Sequence, residues 1–303
     1  MNSSKSRVTI TNKLAEQVDK WIADGANQIE TKIPGLKLTR WSSTTEPTSY
    51  FHNPSICLIA QGRKRVLLGD ESYTYDANHF LISSVGLPLI ASIIEASDER
   101  PYLGLVMELD LQMISELITE NEQILSYDKN PQKGIAVGQL SEPLLNAFSR
   151  LIDLLDESEN IKVLAPIIQR EIFFRILTTD QGIRLNQIIS TQSHGYQISK
   201  AIDWLRNNFF KPLNVKKLAD YSGMSQSAFY SHFRSVTAMS PLQFQKSLRL
   251  NEARRLMLTE NLDATSTTFK VGYESPSQFS REYRRFFGES PSKDIKALRQ
   301  TAD

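Results

Sequence analysis

Two stretches near the end of the chain carry polar side chains at spacings suited to a polyanion. In one, Ser227, Tyr230, Ser231 and Arg234 recur at helical intervals. In the other, Ser277, Gln278, Arg281 and Arg285 do the same. Steps of three and four residues gather side chains on one face of a helix. Serine, tyrosine and glutamine can exchange hydrogen bonds with base edges, and arginine can pair bidentately with guanine or bind phosphate. The charge distribution agrees. Residues 196–303 hold 17 Lys and Arg against 10 Asp and Glu, a net of +7, and residues 1–195 hold 18 against 24, a net of −6. A basic tail behind an acidic front is the pattern expected if only the tail meets nucleic acid. The bland alternative is a helical repeat with a solvated polar face.

The elements that would position these residues form a degenerate repeat. Phe229 matches Phe279, Phe233 matches Tyr283, and Ser240-Pro241 matches Ser290-Pro291, each 50 residues on, while Gly223 and Gly272 are 49 apart. Each copy reads helix, glycine turn, helix, over about 214–236 and 264–287. Asn214, Ser225 and Ser275 are expected N-caps. Ser240-Pro241-Leu242-Gln243 and Ser275-Pro276-Ser277-Gln278 both spell a capping box. Phe229 with Phe233, and Phe279 with Tyr283, then pack inward and turn the polar sets outward. Between the copies a helix from Pro241 to Leu258, with Leu242, Phe244, Leu248, Leu256 and Met257 at apolar positions, spans roughly 27 Å. That length can set two recognition helices near the ~34 Å repeat of a DNA turn.

The rest of the chain has ordinary globular texture: 303 residues, 40% hydrophobic and 23% charged. This excludes a disordered or disulfide-stapled chain. The lone Cys57 and the absence of a long apolar run or apolar signal core predict a cytoplasmic protein without membrane association. Leu14, Val18, Trp21, Ile22 and Ile29 predict a helix within 11–30. Short apolar runs from Leu36 to Leu109, with a hairpin turn at Gly69-Asp70, predict an antiparallel barrel or double-sheet roll. Helices are expected after residue 110. One carries Leu144, Phe148, Leu151, Ile152 and Leu155. A broader stripe holds Leu164, Ile167, Ile168, Ile172, Phe173, Ile176 and Leu177, and the pair either covers the barrel or dimerises. Residues 190–195 read as a linker. The fold is therefore α+β, with a β domain over 1–110, a helical extension over 111–192 and an all-α domain over 196–303.

Within the front domain, Cys57, Tyr75 and His79 are candidate ligand-binding residues. Cys57 near His52 or His79 could be a nucleophile or redox thiol, although its apolar neighbours favour an inert buried cysteine. No metal or cofactor is expected, because the four histidines lack the His-x-His clustering of a metal-dependent barrel enzyme. Such an enzyme fused to a DNA-targeting module is nonetheless the rival reading. Arg63-Lys64-Arg65 reads as a solvated turn or strand edge, and His232 as packing against a neighbouring helix.

The tail's motifs extend beyond these elements. They are Leu218-Ala219, Gly223-Met224-Ser225, Phe229, Phe233, Ser240-Pro241, Arg249-Leu250, Ala253, Leu256-Met257-Leu258, Val271-Gly272-Tyr273, Ser277-Gln278-Phe279-Ser280-Arg281, Phe286 and Ser290-Pro291. With them, residues from about 199 to 298 resemble the AraC/XylS-type DNA-binding domain, two helix-turn-helix units joined by a linker helix. The resemblance implies sequence-specific binding of double-stranded promoter DNA and transcriptional control, with RNA polymerase as a partner if the protein is an activator. It implies contacts through Ser227, Tyr230 and Ser231 in the first unit and Ser277, Gln278 and Arg281 in the second. Thr267-Thr268 departs from the family's small apolar pair, and a hydroxyl there is expected to weaken the second unit. The front is similar to the cupin-like sensor half of one branch of these regulators. Pro54-Ser55-Ile56-Cys57-Leu58-Ile59-Ala60-Gln61-Gly62, the following hairpin, Glu142-Pro143-Leu144-Leu145 and Ala165-Pro166-Ile167 carry that likeness. It implies a barrel that binds an unidentified small effector and helices that pair two subunits in a homodimer.

Overall fold

The computed structural model describes residues 2–22, 26–121, 131–191 and 193–302. Helix α1 (Asn2–Trp21) buries Leu14 and Val18 against the sheet and a later helix. It starts and ends earlier than periodicity predicts. Ile29 keeps helical spacing from Ile22, yet it lies in a strand and pairs with Leu38.

The strands follow as β1 (Gln28–Glu30), β2 (Leu36–Trp41), β3 (Thr48–His52), β4 (Ser55–Gln61), β5 (Arg63–Leu68), β6 (Glu71–Asp76), β7 (His79–Ser83), β8 (Leu87–Glu95) and β9 (Tyr102–Glu108). After helix α2 (Leu111–Glu120) comes β10 (Ile135–Gln139). They form two antiparallel sheets, one ordered β1-β2-β9-β4-β7-β10 and the other β3-β8-β5-β6. The two-residue turn at Gly69-Asp70 joins β5 to β6, with Leu68 opposite Glu71. Strand β10 is a correction to the purely helical extension expected over 111–192. It returns to the larger sheet beside β7, registering Ile135 with Ser83.

Helices α3 (Glu142–Asp153), α4 (Ile161–Leu177) and α5 (Gly182–Ile189) complete the front. Helix α3 buries Leu144, Phe148, Leu151 and Ile152 as the periodicity predicts, and Leu155 is buried in the short 3-10 turn that follows. In α4 the expected stripe is wider than the buried face. Ile168, Ile172, Phe173, Ile176 and Leu177 are buried, whereas Leu164 and Ile167 are exposed together with Val163 and Phe174.

The all-α part runs α6 (His194–Asn208), α7 (Val215–Tyr221), α8 (Gln226–Thr237), α9 (Pro241–Thr259), α10 (Ala264–Lys270), α11 (Pro276–Phe287) and α12 (Pro291–Ala302). The expected linker narrows to four residues, because Ser193 already caps α6 by accepting from the Tyr196 amide at 3.0 Å. One core runs from α1 through the sheets to Leu248 in α9. A separate core of Leu250, Ala253, Leu256, Met257, Val271, Tyr273, Phe279, Tyr283 and Ile295 supports the last three helices. Among the described residues, no helix is long and apolar enough to cross a membrane.

Candidate nucleic-acid interface and barrel cavity

The two helix-turn-helix units are built by the local devices their sequences spell. Asn214 accepts from the Lys217 amide at 3.0 Å to start α7, and Ser225 accepts from the Ala228 amide at 3.3 Å to start α8. Asp263 starts α10 by accepting from the amides of Thr265 and Ser266 at 2.8 and 2.9 Å. Gly223 and Gly272 make the turns at φ of 69° and 88°. Gly272 is doubly constrained, since a Cβ there would stand 2.1 Å from the Phe210 carbonyl oxygen. The capping box at Ser240 is complete, with both reciprocal bonds present. At Ser275 only half of it forms. The hydroxyl accepts from the Gln278 amide, while the Gln278 side chain donates to Glu282 at 3.2 Å instead of reaching back.

Beneath the outer faces, Phe229, Phe233, Phe279 and Tyr283 are all fully buried. Linker helix α9, 19 residues and about 28 Å long, buries Phe244, Leu248, Leu256 and Met257, but Leu242 is exposed rather than apolar-packed. Polar anchors tie the second unit to α9. Arg254 grips Asp294 through two bonds of 2.8 and 2.6 Å, and the Tyr283 hydroxyl donates to the same carboxylate at 2.7 Å. Glu282 receives Lys246 at 2.9 Å and the Tyr273 hydroxyl at 2.8 Å. These donors outweigh the desolvation that would raise the Glu282 carboxyl, so its pKa is lowered.

All eight polar residues singled out are exposed: Ser227, Tyr230, Ser231 and Arg234 on α8, and Ser277, Gln278, Arg281 and Arg285 on α11. Among the described residues, no ion pair engages Arg234, Arg281 or Arg285. The surroundings of the two faces differ. Tyr230, Ser231 and Arg234 line an open cleft of about 760 Å³ whose far wall is Asp70 and Glu71 at the β5–β6 hairpin tip, with Lys133. The end of α8 is stitched to the front domain. The Gly134 amide donates to the Val236 carbonyl at 2.9 Å and the Ser235 hydroxyl to the Pro131 carbonyl at 3.1 Å. Farther along, Phe244 of α9 meets Phe51 of β3 edge-on at 6.5 Å. His232 does not reach outward but stacks on His194 at 4.2 Å.

Inside the front domain lies a cavity of about 490 Å³. Cys57 and Tyr75 line it, whereas His79 does not and instead bonds Asp76 through Nδ1 at 2.8 Å, at the turn joining β6 to β7. Burial pushes the Cys57 thiol up, which keeps it protonated and removes the nucleophilic or redox reading's thiolate. His52 Nε2 sits 2.8 Å from the Ser55 hydroxyl and 3.6 Å from Cys57 Sγ. Burial, with a smaller contribution from Lys64, brings His52 down to about 3, making it a weak base.

The residue missed by sequence reasoning is Lys64. It is not in a solvated turn but lines the cavity. Its parity is the signal that was available, since side chains two apart in a strand share a face. Lys64, Val66 and Leu68 share one, and Val66 and Leu68 are fully buried. Desolvation opposes its charge, and the neighbouring phenol groups, Tyr50 first and hydrogen-bonded to it, more than offset that, so the ammonium stays protonated.

Residues 32–184 match the family described as AraC-type transcriptional regulator N-terminus, and residues 218–297 match a helix-turn-helix domain. The chain belongs to the AraC-type regulators. Among AraC-type relatives, the transcriptional activator RhaS of Escherichia fergusonii is 25% identical over 154 residues, half of this chain and 55% of RhaS. The regulator AlkR of Acinetobacter baylyi is 38% identical over 81 residues, 27% of this chain and 26% of AlkR. The matches thus span about half or less of these two proteins. The crystal structure of unsaturated fatty acid-bound ToxT from Vibrio cholerae superposes with a TM-score of 0.56 at 13% identity, over 88% of this chain and 97% of ToxT. That likeness is one of fold.

Proposed function

We propose that this AraC-type protein is an effector-responsive transcription factor that binds double-stranded promoter DNA through α8 and α11. The observation that carries the reading is α11. Its capped N-terminus opens onto Ser277, Gln278, Arg281 and Arg285, and its two arginines have no ion-pair partner among the described residues. Free guanidinium groups beside a helix start suit guanine edges and phosphates, and the unpaired amide groups of the first turn favour phosphate further. The first unit offers Ser227, Tyr230, Ser231 and Arg234. The likeness to RhaS, a transcriptional activator, supports activation, with RNA polymerase as the partner that such an output requires. The protein acts in the cytoplasm and without catalysis of its own.

The barrel is the sensor, and the contacts of α8 with the hairpin and with Gly134 are its route to DNA. An effector that prefers one arrangement of barrel and helices biases how α8 is presented, which is linkage between two sites. The protein works as a homodimer, for which the exposed Val163, Leu164, Ile167 and Phe174 of α4 supply an apolar face.

Selection of bound genomic fragments by the purified full-length protein, with and without small-molecule libraries, tests the reading. A recovered sequence motif whose occupancy shifts with a compound supports it. Uniform retention of all fragments, falling only with salt, defeats it.

A further inference from the structure

The barrel cavity has an unusual charge arrangement. Two lysines line it. Lys37 is satisfied, with Glu30 at 3.0 Å and Glu108 at 3.4 Å. Lys64 has no such partner, and no ion pair reaches it among the described residues. Its side chain enters from the inward face of β5, registered against Tyr75 on one side and Ile93 on the other. Compensation comes chiefly from Tyr50, which is hydrogen-bonded to the ammonium and whose ring centroid lies 5.8 Å from it, and it brings no full negative charge. His52 beside it is neutral and supplies no negative charge.

A half-buried ammonium without a counter-charge is a cost the fold carries. Neighbouring Arg63 shows how the same segment handles a cation that faces outward, pairing with Glu95 at 3.6 Å. An interior lysine left without that provision is satisfied when something negative enters. The remaining walls mix apolar groups, Trp41, Tyr102 and Leu105 among them, with polar ones such as Thr39, Asn53 and Ser92. A cavity of about 490 Å³ falls within the usual range for metabolite-sized ligands.

We propose that the cavity takes a small organic monoanion, with its carboxylate held by Lys64 and its apolar body held by the aromatic walls. This rests on the reading of the barrel as the effector site, and narrows it to a chemical class. A neutral ligand would leave the ammonium unmatched, and a polyanion would meet Glu108 in the same lining.

The test uses the full-length chain at pH 7 with matched probes, 2-naphthoate against 2-naphthamide and decanoate against decanamide. Titration calorimetry and Trp41 fluorescence read binding. At least one carboxylate is expected to bind tenfold or more tightly than its amide. Lys64→Met, which keeps the chain length but not the charge, should bring carboxylate and amide within twofold. Lys37→Met should keep the preference. The unliganded Lys64→Met protein should melt no lower than wild type, which separates loss of recognition from loss of fold. Amides binding as well as carboxylates to the wild type, or a carboxylate preference surviving Lys64→Met, overturns the assignment to Lys64. In either case the barrel remains a pocket and the sensor reading stands. If no probe of either kind binds wild type, the assignment falls and the sensor reading loses its support with it.

Discussion

The two helix-turn-helix units share a turn, caps and an aromatic pair, yet they stand in different surroundings. At matching positions the first unit buries Leu218 and Ala219, and the second buries Thr267 and Thr268. Thr268 returns its hydroxyl to the Ala264 carbonyl at 2.7 Å, but Thr267 Oγ1 is buried with no hydrogen-bond partner. The first unit belongs to the large core that runs back into the barrel, and the second relies on its own small one. What the second lacks in apolar packing it replaces with polar ties, Arg254 to Asp294 and Lys246 to Glu282. One unit is thus joined to the front domain and the other is free of it. Under the proposed function, the joined unit is the one placed to feel an effector.

Emptying each core in turn should separate the two units most strongly. Phe229→Ala and Phe279→Ala each remove a fully buried ring and should cost about 3–5 kcal/mol. The consequences should differ. Phe279→Ala should melt α10–α12 in a separate early transition while amide protection in the barrel persists. Phe229→Ala should lower the main transition. Hydrogen exchange resolves the two, and equal loss of protection across the whole chain in both variants would mean the cores are one.

Three smaller changes refine the contrast. Arg281→Ala should weaken binding to a selected operator by about 1–3 kcal/mol with an unchanged circular dichroism spectrum. Unaltered affinity at physiological salt would remove α11 from the interface. Next, Thr267→Val replaces an unpartnered hydroxyl with a methyl of the same shape, and should stabilise the second unit by about 1 kcal/mol. A lower melting temperature would show that the hydroxyl is in fact satisfied. Asp70→Asn removes a negative charge across the cleft from Arg234 and should tighten operator binding by about two- to fivefold, an effect that fades with added salt. The same substitution leaving affinity unchanged at low salt would mean the hairpin tip does not oppose DNA.

Much of this was legible in the residues. Glycines, cap residues and a 50-residue aromatic repeat specify the helix-turn-helix units locally, because each device acts within a turn or two of chain. Short apolar runs broken by turn residues located most strands for the same reason. What escaped was set mostly by distant contacts, as where strand β10 forms because β7 offers an edge. Gln278 is the local case, abandoning its capping box for a competing acceptor, Glu282, one turn on. The stripe of α4 read as one face because apolar type does not distinguish a buried side chain from an exposed one. Lys64 is the exception: its shared parity with Val66 and Leu68 placed it inside, and two flanking arginines obscured the signal. The stitching of α8 to the barrel has no sequence signature, since backbone carbonyls and amides make half of it.

The subtlest expected difference between the units comes from acid. All four histidines lie outside the second unit, and His194 and His232 stack where α6 meets α8. Desolvation, and then the neighbouring His194, hold the His232 pKa below its ordinary value. A histidine depressed in the folded state is more readily protonated when unfolded, so the contact is at full strength above the unfolded value of about 6.5 and weakens as pH falls through the folded value. Between pH 7.5 and 5.5, amides of α8 should therefore lose exchange protection while those of α11 keep theirs. His232→Gln should flatten the profile of α8 and leave that of the barrel, where buried His52 is held neutral and makes its own contribution below about pH 6.5, unchanged. If α8 and α11 loosen together in that interval, the stacked pair is not the sensitive element and the first unit's link to α6 tolerates charge.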